Sequence, residues 1–279
     1  MPRGAAADVA MNRTHSATGP AYPRLLARRT VNRRIVAAGV HAVASVLLAG
    51  LVGVVGLGVM YPGVYTQLAG GFELFLLICG VDVTLGPLLT GIVFSPRKGF
   101  RELRRDLLVI VTMQLAALVY GIHVLAVARP VALVFEVDRF RVISQADVVT
   151  DELASAPAQF RNLSWAGPRL TGARAATDDE KFETIEKALA GFDIGQRPSF
   201  WQPYELKSSV RTRAFPAGRE ADEELTAESR GRVERELQEN GLAIGSARFL
   251  PLQARQPGWV VWLDAKGYPK LMRRYEEVV

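Results

Sequence analysis

Residues 35–60 read IVAAGVHAVASVLLAGLVGVVGLGVM, a run without Asp, Glu, Lys or Arg. Crossing a bilayer takes about 20 apolar residues in a helix, so this run is long enough to span. Two more runs follow it. Residues 72–95 are apolar apart from Glu73 at the edge and Asp82 inside, and residues 107–128 carry no charge. Three such stretches in one chain predict membrane-spanning helices rather than buried core helices. A cleaved signal peptide has an apolar core of only about 7–15 residues near the N-terminus. The first run is longer and follows residues 1–34, so an uncleaved anchor behind a disordered cytoplasmic tail is expected, with Met11 as an alternative start.

The charges orient these spans. Arg24, Arg28, Arg29, Arg33 and Arg34 precede the first; residues 61–71 hold no Lys or Arg; Arg97, Lys98, Arg101, Arg104 and Arg105 stand between the second and third. Short loops rich in Lys and Arg stay in the cytoplasm. The N-terminus is therefore expected inside, the first loop outside, the second inside, and residues 129–279 outside, which in a bacterium is the periplasm. The net charge of +6 divides unevenly: residues 1–128 carry 12 Lys/Arg against 5 Asp/Glu, and residues 129–279 carry 22 against 23. The basic excess thus sits beside the apolar runs, which argues for membrane topology and against nucleic acid as a partner. Mean hydropathy is +0.13, and hydrophobic residues make up 49% of the chain, which excludes a disordered protein. Tyr61, Tyr65 and Phe72 fall where interfacial aromatic anchors belong, and Arg129 where a guanidinium can snorkel to the headgroups.

The second half reads as mixed α and β. Residues 131–137 and 140–144 are β-rich around an Asp138-Arg139 turn. Thr177 with Glu180 forms a capping-box pattern, Phe182, Ile185 and Leu189 give an apolar stripe, and Gly191 is a candidate left-handed stop. A second helix is expected over residues 222–240, closed by Gly241, with a narrow Leu225, Val233, Leu237 stripe and a Glu228–Arg232 pair. Strands are expected at 248–252, 259–264 and from Tyr268 towards Tyr275, the last after a Lys266-Gly267 turn. The expected fold class is a three-helix transmembrane bundle followed by a periplasmic α+β domain.

Asp82 is the sharpest single residue. About ten residues into its helix, it lies roughly 15 Å deep, where a charge costs about 2.5–3.5 kcal/mol on insertion scales. Ser45, Gln114 and Tyr120 are expected at the same level, and an interhelical hydrogen-bond hub is the leading reading, ahead of recognition of another membrane helix. Gly86-Pro87 follows one turn on and predicts a kink with room for close approach. Gly53 and Gly56, at helical spacing, suggest a smooth packing face, and His41 and His123 are expected to bond within the bundle. After Arg129 there is neither His nor Cys, so Ser-His and Cys-His nucleophile systems have no base there. Cys79 is the single cysteine, so Cys/His metal sites lack ligands. The Asp178-Asp179 pair suits a helix start rather than acid–base work, and no phosphate-binding glycine loop is present. No catalytic residue, cofactor or metal is expected.

Several stretches together resemble one family: Met60-Tyr-Pro-Gly63, Gly80-Val-Asp-Val-Thr-Leu-Gly-Pro-Leu-Leu-Thr90, Asp106, Gln114-Leu-Ala-Ala-Leu-Val-Tyr-Gly121, Arg129-Pro130, Asp138-Arg-Phe140, Trp165-Ala-Gly-Pro168, Gly191-Phe-Asp193 and Trp262-Leu-Asp264. They are similar to the TfpX/TfpZ-type type IV pilin accessory proteins, from about Val31 to the C-terminus. The resemblance implies an inner-membrane chaperone or assembly factor, not an enzyme. It also implies a client pilin held in the membrane by an apolar helix with its head in the periplasm, and the pilus assembly machinery as a further partner. The residues carrying it, beside Asp82, Gly86, Pro87, Gln114 and Tyr120, are Arg129, Pro130, Asp138, Trp165, Gly167 and Pro168. A small-molecule transporter or channel subunit using Asp82 would need a second intramembrane charge, and a periplasmic ligand sensor would need a cytoplasmic output domain. The sequence offers neither.

Overall fold

The computed structural model describes residues 22–95, 97–204, 215–216, 227–242 and 248–274, and of 22–30, 215–216, 227–230, 232 and 233 the backbone alone. Helix α1 (Tyr22–Val55) continues through a wider π turn at Gly56–Met60. A short α2 (Tyr65–Leu68) leads into α3 (Gly71–Val93) and then α4 (Phe100–Ala128). Three segments, Val31–Met60, Gly71–Val93 and Phe100–Ala128, are long and apolar enough to cross a membrane. Residues 22–34 are thus helical where a tail was expected, and α4 begins seven residues before the apolar run. Met11 lies outside the described residues.

Helix α3 is the centre of the bundle, with α1 and α4 each packed against it. At the end nearest the rest of the protein, Gly56 lies against Leu125 of α4 and Gly53 against Phe75 of α3. The paired glycines of the first span are therefore used inside the bundle.

The described residues between 130 and 274 form a sheet domain. Its strands are β1 (Pro130–Phe135), β2 (Phe140–Ser144), β3 (Arg169–Ala173), β4 (Trp201–Pro203), β5 (Phe215–Pro216), β6 (Arg248–Gln253), β7 (Trp259–Leu263) and β8 (Pro269–Arg274). They lie in the order β4-β3-β1-β2-β6-β7-β8, with β5 beside β6. β1 pairs antiparallel with β2 and parallel with β3, and β2 pairs parallel with β6. Alternate residues go to opposite faces of a strand. Leu133 and Phe135 accordingly join Phe140, Leu250, Trp259 and Val261 on one face, and Ala132 and Val134 join Ile143, Phe160 and Trp201 on the other.

Among the described residues the domain has two principal helices, α5 (Lys181–Leu189) and α6 (Ala227–Glu239). Both end in the same way. At Gly241 (φ 72°) the chain turns left-handed, and Leu242 N–H donates to the Leu237 carbonyl at 2.8 Å. Gly191 (φ 95°) does the same for α5, with Phe192 N–H on the Lys187 carbonyl at 2.8 Å. A side chain at either glycine would meet the left-handed penalty. Leu237 is fully buried under β7, while Leu225 and the side chains of Glu228, Arg232 and Val233 lie outside the described residues. Strand β1 stops at Phe135, before the expected Val137, because Glu136 N–H turns back to the Arg139 carbonyl at 3.0 Å. The last strand runs from Pro269, and Tyr275 lies outside the described residues.

Candidate functional site

The candidate residues fall into two places, one inside the bundle and one where α4 enters the sheet domain. Away from the Gly56–Leu125 contact, α1 and α4 leave a groove of about 520 Å³ with α3 as its floor. Its walls are apolar, with Leu48 on α1 and Leu115 on α4, but Asp82, His41, Ser45, Thr90 and Gln114 also line it. Nδ1 of His41 and the Thr90 hydroxyl are hydrogen-bonded at 2.6 Å.

Gln114 reaches across from α4, and its Nε2 donates to the backbone carbonyl of Asp82 at 3.2 Å. The adjacent glycine makes this approach feasible, since a Cβ on Gly86 would collide with the Gln114 amide. Pro87, which has no N–H to give, deprives the Val83 carbonyl of its helical donor, yet α3 continues through it to Val93. The expected hub is therefore built on the Asp82 carbonyl rather than on its side chain. Among the described residues the Asp82 carboxylate accepts no hydrogen bond; it stands half-buried on the groove. Tyr120, at 70% exposure, and His123 face outward on α4, away from this cluster.

The second place is a clamp around Arg129, which is only 2% exposed. Its Nε donates to the Ser164 carbonyl at 3.0 Å, and Nη1 donates to the Ala126 carbonyl at 2.7 Å and to Oε1 of Gln145. The guanidinium lies 3.8 Å from the centre of the Trp165 ring. Gly167 (φ 75°) lets the same loop close on Pro62, where a Cβ would press on the proline ring. Next to it, Tyr61 is fully buried and its hydroxyl donates to the Leu125 carbonyl at 2.7 Å. Burial pushes the Tyr61 phenol up to about 12, against the pull of Arg129 and Arg255. Arg129 and Tyr61 thus point into protein, not into headgroups, and Tyr65 packs on the sheet core; Phe72 is half-exposed. Leu68 is buried in that core, and Arg255 N–H donates to its carbonyl at 3.1 Å. Pro130 opens β1, Pro168 is half-buried beside Gly167, and Asp138 is exposed at the far end of β1, paired with Arg139 at 3.2 Å.

No family model and no solved structure matches the chain. Two fimbrial assembly proteins of Dichelobacter nodosus do. That of serogroup I is 39% identical over 229 residues, 81% of this chain and 89% of the relative. That of serogroup E1 is 39% identical over 230 residues, again 81% and 89%. The chain belongs to this family of fimbrial assembly proteins. A third member, from serogroups C1 and C2, is 42% identical over 118 residues, 42% of this chain and 90% of that protein.

The fimbrial assembly chain also carries a network that its sequence does not announce. Glu152 accepts from Lys187 Nζ at 2.8 Å, from Arg197 Nε at 2.7 Å and from the Ser199 hydroxyl, while Arg197 Nη2 also donates to Glu183 at 3.0 Å. Residues 35 to 47 positions apart in sequence meet here. The charged side of α5 is thereby turned to the protein, and the Phe182, Ile185, Leu189 stripe points outward at 81%, 60% and 87% exposure. The expected capping pair is half made: Glu180 accepts from the Thr177 N–H at 2.9 Å, but the helix starts at Lys181, after a turn.

Two carboxylates make this arrangement sensitive to acid. Burial alone would raise Glu152, but hydrogen bonds from Lys187, Ser199 and Arg197 outweigh it and hold it low. Arg174 and the Thr177 amide bring Glu180 down from 4.5 to about 2. A depressed folded value means stability present above the ordinary value and lost as pH falls through the folded one. Hydrogen exchange should therefore show the α5 amides losing protection between pH 4.5 and about 2, with Glu180→Gln flattening that dependence. An α5 profile indifferent to pH over this window would contradict the assignment.

Proposed function

We propose that this protein is an inner-membrane accessory factor that stabilises a specific type IV pilin and helps assemble it into the fibre. The observation that carries the reading is the likeness, over 81% of the chain, to proteins named for fimbrial assembly. The role is one of binding, with no chemical step. The TfpX/TfpZ-type resemblance of the Asp82–Pro87 and Arg129–Pro130 stretches supports the same role. The bundle meets the pilin's apolar helix in the membrane, and the sheet domain meets its head.

For the head, α5 is the offered surface. Its outward stripe is apolar and rimmed by Asp179, Glu186 and the Asp178–Lys181 ion pair at 2.6 Å. Two weak contacts on one molecule raise overall affinity through effective concentration.

Deletion of the gene should lower pilin abundance and abolish surface fibres, with both restored by the gene in trans; normal pilin and normal fibres in the deletion strain would end this reading. The topology has its own test. Alkaline-phosphatase fusions after Arg129 should be active and fusions at Lys98 inactive, following the Lys/Arg asymmetry. The reverse pattern would put the sheet domain in the cytoplasm.

A further inference from the structure

We propose that the groove between α1 and α4 is the seat of the client pilin's membrane helix, which completes a four-helix bundle and donates a hydrogen bond to the Asp82 carboxylate. This deepens, and rests on, the accessory role proposed above.

Three features of the bundle lead there. First, the groove is an open concavity of about 520 Å³, floored by α3 and walled by α1 and α4, into which the side chains along one face of a helix can pack. Secondly, its lining is wrong for lipid. Asp82 lies eleven residues into α3, roughly 16 Å from that helix's start at 1.5 Å per residue, near the middle of a core about 30 Å thick. Acyl chains offer a carboxylate nothing at that depth, and ionisable residues there face a bundle interior or a partner. The Thr90 hydroxyl and Nδ1 of His41 bond to each other, and Gln114 Nε2 donates to the Asp82 backbone carbonyl. His41 stands near enough to act on the Asp82 carboxylate electrostatically, but no hydrogen bond from the described residues reaches the carboxylate, and the proposal completes it with a donor group on the incoming helix. Thirdly, Gly86-Pro87 is not free to make that contact, because Gln114 of α4 already occupies the space over Gly86. Helices associate in lipid through close packing and interhelical hydrogen bonds, and this groove supplies both at one depth.

A photocrosslinking amino acid placed in living cells tests the assignment. Ala44 and Leu115 line the groove, whereas Leu47 and Val119 are 70% and 67% exposed and do not. Probes at Ala44 and Leu115 should give pilin adducts, detected with anti-pilin antibody, at least tenfold above those at Leu47 and Val119. Asp82→Leu should cut the groove adducts several-fold at equal protein abundance, and Asp82→Asn, which still accepts, should keep them. If Asp82→Leu fails to accumulate, the comparison is made between Asp82→Asn and Asp82→Ala. Equal adducts from all four positions, lipid adducts alone, adducts to a second copy of this chain, or groove adducts unchanged in the variant without an acceptor would overturn the proposal. Pilin adducts from α5 with none from the groove would sink the groove and leave the accessory role standing. Absence of both, with normal fibres in the deletion strain, would sink the accessory role itself.

Discussion

Arg129→Met is expected to prevent accumulation of the protein. The side chain it replaces is buried and donates to the Ser164 and Ala126 carbonyls and to Gln145. Hydrogen bonds to a charged group are worth about 1.5–3 kcal/mol each, and a buried acceptor left without its donor costs about 1–3 kcal/mol. Losing all three at once is comparable with a total stability of about 5–15 kcal/mol. Arg129→Lys should not rescue, because one ammonium cannot reproduce the forked donors or the flat stack on Trp165. Trp165→Ala, which removes the stack but keeps the hydrogen bonds, should be milder, by about 0.5–2 kcal/mol. Membrane abundance and thermal melting in detergent check the series. Wild-type abundance of Arg129→Met would show that the clamp is not what joins the two halves.

Gly86→Ala is expected to push the Gln114 amide aside and break its hydrogen bond to the Asp82 carbonyl, a loss of about 0.6–1.7 kcal/mol. Alanine normally improves a helix by about 1 kcal/mol over glycine, so the usual gain is expected to be cancelled. The cause is the Gln114 amide, which sits where the new methyl would go. Gln114→Ala alone should cost about 0.6–1.7 kcal/mol, the range of interhelical hydrogen bonds in membranes. In the Gln114→Ala background the obstruction is gone, and Gly86→Ala should become stabilising. A double-mutant cycle in detergent reads this directly. If Gly86→Ala has the same effect in both backgrounds, the contact is not what requires glycine.

The apolar helices were legible because their signal is local: some twenty uncharged residues in a row have few other meanings. Strands β1, β2 and β7 were legible from their β-branched and aromatic runs, β6 from Phe249 with Leu250 and Leu252, and β8 from the Lys266-Gly267 turn before it. Strands β3, β4 and β5 were not, because Arg169, Gly172, Pro203 and Pro216 break any alternation in segments of two to five residues. Asp82 stood out on the cost of a charge in lipid, but sequence could not tell that Gln114 reaches its carbonyl and leaves the carboxylate open. Arg129 was misread as a membrane-surface residue because its position after an apolar run suits snorkelling. Its partners, Gln145 and Ser164, come from 16 and 35 residues away. The outward turn of α5 was equally hidden, since a stripe of Phe182, Ile185 and Leu189 ordinarily faces a core. What reverses it is Glu152, which holds Lys187 and Arg197 from a distant loop.

The join between the two halves has a consequence of its own. Pro62 and Leu68 of the α1–α3 connection meet Gly167 and Arg255 of the sheet domain, and Arg129 at the end of α4 meets Gln145 and Ser164. The sheet domain is thus joined to the helices at two separate passages of the chain. If groove and α5 both hold the client, as proposed, they act like the jaws of a caliper. Such a client would be gauged by the distance between its membrane helix and its head as well as by their chemistry. One helical turn added to its neck would misplace one contact by about 5.4 Å while leaving every residue in both contacts unchanged.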